Sequence, residues 1–124
     1  MAEPIKSQPI RIQTEDLQDT LIIHVHGEVD MGTAPVLQDA MRSAIQRQRH
    51  VVVDLADVTY IDISGFRVLE DGKQALSEGQ GFAMTASSPL VHKVIEILQF
   101  GKVIPLFPSA QDALAFVRSR HRNN

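Results

Sequence analysis

Cysteine and tryptophan are both absent from this chain of 124 residues, and five phenylalanines and one tyrosine supply all of its aromatic character. Without thiols there is no disulfide framework and no thiolate-bound metal, and a reducing compartment is compatible. So few rings leave little material for stacking on nucleic-acid bases. Charge of one sign is also lacking: twelve Lys and Arg against fifteen Asp and Glu leave a formal net charge of -3. That balance provides no general field for nucleic acid and argues against direct DNA or RNA binding. No apolar run approaches the ~20 residues of a membrane span. The opening MAEPIKSQPI has neither the basic nor the apolar region of a secretory signal. These absences predict a soluble cytoplasmic protein with no membrane insertion. A chain of this length can bury about two thirds of its unfolded surface without a metal or disulfide staple. The expectation is one domain over 1–124, with a core at about 9–118 and loose ends at 1–8 and 119–124.

What is present alternates between strand and helix patterns. Ile10 and Ile12 share a face in a weakly alternating stretch, and Leu21, Ile23 and Val25 alternate with Ile22, His24, His26 and Glu28. The two stretches read as a hairpin or as neighbouring edge strands. Thr33, as a candidate N-cap, with Pro35 just inside opens a helix carrying Leu37, Ala40, Met41, Ala44 and Ile45, ending near Arg49. Val51 to Val53 form a short continuous apolar run closed at Asp54, as in a strand buried on both faces, and a polar crossing leads on to Tyr60–Ile63. A second helical pattern starts at Ser64 and breaks at Gly79 and Gly81. Phe82–Thr85 reads as a strand, and Ser87 or Ser88 with Pro89 opens a helix with Gly101 as its C-cap. Val103–Leu106 reads as a last strand, followed by a helix capped by Ser109. Strands and helices in this order predict an α/β fold: a small mixed sheet with about four helices packed against it.

Several chemical constellations fail on their own terms. A hydrolase elbow needs glycines two residues either side of its serine, and here the string is Asp62-Ile63-Ser64-Gly65-Phe66. No Gly-Lys-Ser/Thr string exists for a phosphate-binding loop, and Gly79-Gln80-Gly81 precedes a strand rather than following one. His24, His26 and Glu28 share a strand face and form a weak metal hypothesis, with a plain solvated face as the alternative. Arg118, Arg120, His121 and Arg122 read as a last helical turn that complements the dipole, with an anion-binding tail as the alternative. A nucleophile, base and oxyanion-hole set cannot be assembled, which predicts that the protein is not an enzyme and needs no cofactor or metal. The stronger group is Asp30, Asp62 and Ser64. Both carboxylates follow strands and could meet at one sheet edge, and Ser64 stands where a strand passes into a helix N-terminus. On spacing alone Ser64 is equally a helix cap or a phosphorylation switch.

The string DLADVTYIDISGFRVL resembles the phosphorylation-loop signature of STAS domains, in particular bacterial anti-sigma factor antagonists. GEVDMGTAPVLQDAM is similar to that family's Gly-Glu-Leu-Asp segment entering its first helix. SSPLVHKVIEILQFGKVIPLFPSAQDALAFV is similar to its last two helices and the strand between them. The resemblance implies a STAS-type fold and a protein that binds an anti-sigma factor, often one with a serine kinase domain, and so frees the sigma factor. It implies phosphorylation at Ser64 as the off-switch, with a serine phosphatase as a further partner. It places Asp30, Asp62, Ile63, Gly65, Phe66 and Arg67 in the partner-binding loop region. The alternative it leaves is an unphosphorylated STAS scaffold subunit of a regulatory assembly or of a lipid transporter. Two features depart from the family pattern: Ile63 replaces a second hydroxyl residue, and Phe66-Arg67 replaces a small Leu-Gly pair. Arg67 is open to two readings, an exposed side chain or a partner for phosphate or carboxylate.

Overall fold

In the computed structural model, which describes residues 10–122, β1 (Arg11–Asp16) pairs antiparallel with β2 (Thr20–Val29). The remaining elements follow as α1 (Ala34–Gln46), β3 (His50–Ile61), α2 (Ile63–Ala75), β4 (Phe82–Thr85), α3 (Pro89–Leu98), a 3₁₀ turn (Phe100–Lys102), β5 (Leu106–Phe107) and α4 (Ala110–Arg122). The sheet runs β1-β2-β3-β4-β5, and from β2 onward each neighbouring pair is parallel. Parallel neighbours need crossovers, which the helices provide. The expected loose ends at 1–8 and 123–124 lie outside the described residues, while 119–122 belong to α4.

Burial divides the helices between the two faces. Leu21, Ile23 and Val25 of β2 and Val51, Val53 and Leu55 of β3 pack against Leu37 and Met41 of α1, Phe66 and Leu69 of α2, and Val91 and Ile95 of α3. Ile22, Val52 and Ala83 face the other way, against Ala113 and Val117 of α4. Val51, Val52 and Val53 are all fully buried, as a continuous apolar run in a central parallel strand requires. Each such side chain contributes roughly 1.5–3 kcal/mol by leaving water. Because α1, α2 and α3 follow β2, β3 and β4, all three open at the same edge of the sheet.

Three expectations need correction. First, β3 does not close at Asp54 but continues to Ile61, with Leu55, Val58 and Ile61 buried. It crosses the polar letters through two register shifts against β2, one between His24 and His26 and one between Gly27 and Glu28. The first bulge is satisfied locally, since the Ala56 N–H donates to Asp54 Oδ1 at 2.9 Å. Second, the last strand is Leu106–Phe107 rather than Val103–Leu106, because Val103 and Ile104 both donate backbone bonds to Phe100 and end the 3₁₀ turn. Third, the left-handed residue that ends α3 is Gln99, with φ +58°, and not Gly101. The chain must reverse just before Phe100, which is buried and stacks on Phe66 with ring centroids 4.3 Å apart. Gly101 comes too late for that reversal.

Candidate functional site

Strand register determines what meets at the edge where the three helices open. Val29 and Ile61 are the last paired residues of β2 and β3, and the Asp62 N–H donates to the Val29 carbonyl at 3.1 Å. Asp30 and Asp62 therefore stand at adjacent strand ends, as their spacing suggests. Each carboxylate turns to its own loop. Asp30 Oδ1 accepts from the N–H groups of Gly32 at 2.9 Å and Thr33 at 3.0 Å. Thr33 occupies the N-cap position of α1 but makes no capping bond. Its hydroxyl instead accepts from the Asp30 N–H and donates to the Glu28 carbonyl, which closes the β2–α1 loop on itself.

Asp62 is the N-cap of α2. Its backbone is extended, its Oδ1 accepts from the Ser64 N–H at 2.9 Å, and its carbonyl accepts from Gly65 and Phe66. A carboxylate here satisfies an orphan amide and complements the positive end of the helix. Ser64 is thereby relieved of the capping role that spacing left open to it. Its hydroxyl makes no hydrogen bond among the described residues, and the side chain is half-buried at the second position of the helix.

The residues that flank Ser64 divide by orientation. Gly65 is buried because α2 rests directly on the strand ends: an added Cβ would lie 2.7 Å from Val29 Cγ1 and 2.8 Å from Ile61 Cγ1. Phe66 is fully buried and stacked on Phe100, so it anchors the helix from within and presents no surface to a partner, contrary to its expected place in the binding loop. Ile63 points outward with 50 % of its surface exposed, and Arg67 is exposed with no ion pair among the described residues. The edge carries further exposed apolar side chains: Met31 at 79 % in the β2–α1 loop, Val36 in the first turn of α1, Tyr60 near the end of β3 and Leu90 in the first turn of α3. None of α1, α2 and α3 has an acid in its first turn. The edge is thus an apolar surface where three helices open, with the Ser64 hydroxyl unbonded among the described residues at the start of α2.

The histidine face carries ion pairs, beyond the weak metal site and the plain solvated face that its spacing left open. His24 Nδ1 lies 2.7 Å from Asp54 Oδ2 and Nε2 lies 3.2 Å from Glu15 Oε1, so both ring nitrogens meet carboxylates. Partial burial of the ring favours its neutral form, but the bonds to Glu15 and Asp54 outweigh it and hold the pKa above the ordinary histidine value. Burial likewise pushes Asp54 up, yet donors from Ala56, the Thr85 hydroxyl at 2.9 Å and His24 hold it below the usual carboxylate range. His26 Nδ1 is 3.2 Å from Asp57 Oδ2. Both ring nitrogens of His24 already face carboxylates, and among the described residues no group of three His, Asp or Glu side chains has metal-binding placement. Strand alternation marked the His24 and His26 face; the partner Asp54 depended on register across β3, which carries no local signal.

At the opposite sheet edge a cleft of about 1030 Å³ is lined by Arg47, Arg49, His50 and Arg118 among others. Its arginines are already engaged: Arg47 and Arg49 with Asp16, and Arg118 with Asp19 through bonds of 2.9 and 3.1 Å. No helix among the described residues is long and apolar enough to cross a membrane.

A five-stranded sheet with three helices on one face, one on the other, and a helix-opening edge around a serine defines a small α/β domain. The chain belongs to the STAS domain family, whose family model matches residues 11–113. It is 27% identical over 108 residues to the anti-sigma F factor antagonist of Paenibacillus polymyxa, covering 85% of this chain and 92% of that protein. It is 24% identical over 110 residues to the anti-sigma-F factor antagonist RsfB of Mycobacterium tuberculosis, covering 88% and 90% respectively. A crystal structure of an anti-sigma factor antagonist from Mycobacterium paratuberculosis superposes with a TM-score of 0.84 at 31% identity, covering 91% of this chain and 99% of that one.

Proposed function

We propose that this protein is a cytoplasmic anti-sigma factor antagonist: a binding protein without catalytic activity that engages an anti-sigma factor through the edge around Ser64 and so frees the sigma factor. The observation that carries the reading is the Ser64 hydroxyl, unbonded among the described residues at the mouth of α2, on the sheet edge that also carries Met31, Val36, Ile63 and Leu90, exposed apolar side chains that a partner would cover. The names of the family relatives support the same class of partner. The off-switch is phosphorylation of Ser64 by a serine kinase, which the anti-sigma factor itself can carry, reversed by a serine phosphatase. A phosphate adds about 1.5 to 2 negative charges at the centre of that apolar contact, where desolvation and the nearby Asp30 and Asp62 act against it. A loss of ~3 kcal/mol weakens binding more than a hundredfold.

The test is intact mass and binding together. Incubation with the anti-sigma kinase of the same cell and ATP should add one phosphate to the wild type and none to Ser64→Ala. Ser64→Ala should bind that partner constitutively, whereas Ser64→Asp should bind weakly. Equal binding by all three proteins would overturn the switch and leave an unphosphorylated STAS scaffold.

A further inference from the structure

We infer that Arg67 is the internal counter-ion of a phosphate on Ser64, so that phosphorylation adds an anion to the partner-facing edge and at the same time withdraws a cation from it. The inference rests on Ser64 being the phosphorylated residue and specifies how that modification is held in the free domain.

Three observations point to Arg67. Ser64 and Arg67 are three residues apart in α2, so their Cβ atoms lie on one helix face about 5–6 Å apart, within easy reach of a guanidinium and a phosphate. Arg67 is exposed and uncommitted. Glu70 and Asp71 follow at the spacings that favour intrahelical pairs, yet Arg67 pairs with neither among the described residues. The other Lys and Arg of α1 and α2 are placed differently: Arg42 pairs with Asp39, and the Lys73 ammonium donates to the Val103 carbonyl.

The competing acids at the edge are also occupied. Asp62 caps α2 and Asp30 caps its own loop, each through Oδ1, and neither pairs with Arg67 among the described residues. The order of charges is the favourable one, with the anion on the N-terminal side of the cation, so the phosphate meets the positive helix end and Arg67 together. Guanidinium and phosphate also match as a two-point hydrogen-bonded pair. In the unmodified protein the same guanidinium is free to meet a partner's carboxylate. Capture by the phosphate removes that contact, and the binding loss then has two sources rather than one.

The test installs phosphoserine at position 64 of the full chain by genetic encoding, so that no kinase is needed, and follows the phosphorus resonance through its second ionisation. With Arg67 in place the second pKa should lie about half a unit below that of Arg67→Gln at low salt, and in 1 M salt the difference should close. Arg67→Lys should recover part of the lowering, because a point charge remains without the planar fork. Identical low-salt titrations for the phosphoserine protein with Arg67 intact and for its Arg67→Lys and Arg67→Gln variants would overturn the inference. Failure of the switch reading appears elsewhere, as phosphoserine protein that binds the anti-sigma factor as tightly as unmodified protein, whatever the phosphorus titration reports.

Discussion

Asp62 and Ser64 are both good capping residues two positions apart, and only the backbone decides between them. Asp62 takes the extended conformation that lets its side chain reach the Ser64 amide, whereas Ser64 is already inside the helix. The two substitutions should therefore behave differently in thermal or denaturant unfolding. Asp62→Ala should cost about 1 kcal/mol, the usual loss of an N-cap. Ser64→Ala should stay within ~0.5 kcal/mol of wild type, since no hydrogen bond is removed. A destabilisation by Ser64→Ala as large as that of Asp62→Ala would restore the capping role to the serine. Gly65 was legible as a family position but not as a packing one. Its closeness to Val29 and Ile61 predicts that Gly65→Ala costs roughly 1–3 kcal/mol by overpacking. Phe66 shows the limit of a motif: a residue inside a functional string can belong wholly to the core.

Strand β1 is an edge strand with five of its six residues exposed. Beyond its backbone ladder with β2, it is tied by Glu15 to His24, which in turn meets Asp54 on β3. Asp54 also accepts from Thr85, so a chain of side chains crosses four strands. The other charged groups on this face include Glu28, His26 with Asp57 and, opposite His26 in register, Arg11. Because the folded pKa of His24 is raised, its stabilisation is complete below the ordinary histidine value of about 6.5 and is lost as pH rises through the folded value. Asp54 acts at the acid end, where its contribution disappears only as pH falls through its depressed folded pKa. Amide exchange in β1, corrected for intrinsic rates, should lose protection as the pH climbs above His24's folded pKa, and His24→Gln should abolish that dependence. A histidine titration placing His24 at or below about 6.5 would contradict the clamp. The sequence marked the alternation of β2 correctly and the end of β3 incorrectly. Its bulges are stabilised by bonds across the sheet and by Asp54, which leave no trace in local periodicity.

At the scale of the molecule, the sheet separates two unequal surfaces. One edge holds Ser64 and the exposed apolar side chains, and the other holds paired arginines around a cleft. Ile63→Asp changes a half-exposed residue and should leave the unfolding midpoint nearly unchanged while weakening anti-sigma factor binding at least about tenfold, as expected for an interface anchor. Titration calorimetry with the purified partner measures it. Unaltered affinity would move the interface away from this edge. Layering also explains why the smaller core under α4 depends on close approach: an added Cβ at Gly81 would lie 2.8 Å from the Val117 Cα.

The sequence by itself determined the alternation of strands and helices, the apolar central strand, the family and the short list of residues around Ser64. These follow from periodicity and from neighbours close along the chain, where local conformation dominates. Only the tertiary structure decided that Asp62 rather than Ser64 caps α2, that Phe66 faces inward, that His24 is clamped between Glu15 and Asp54, and that Arg67 is free of partners among the described residues. Each of those depends on register between strands or on how closely a helix seats against the sheet. Such contacts join residues far apart in sequence, and their energies arise only when the chain closes on itself.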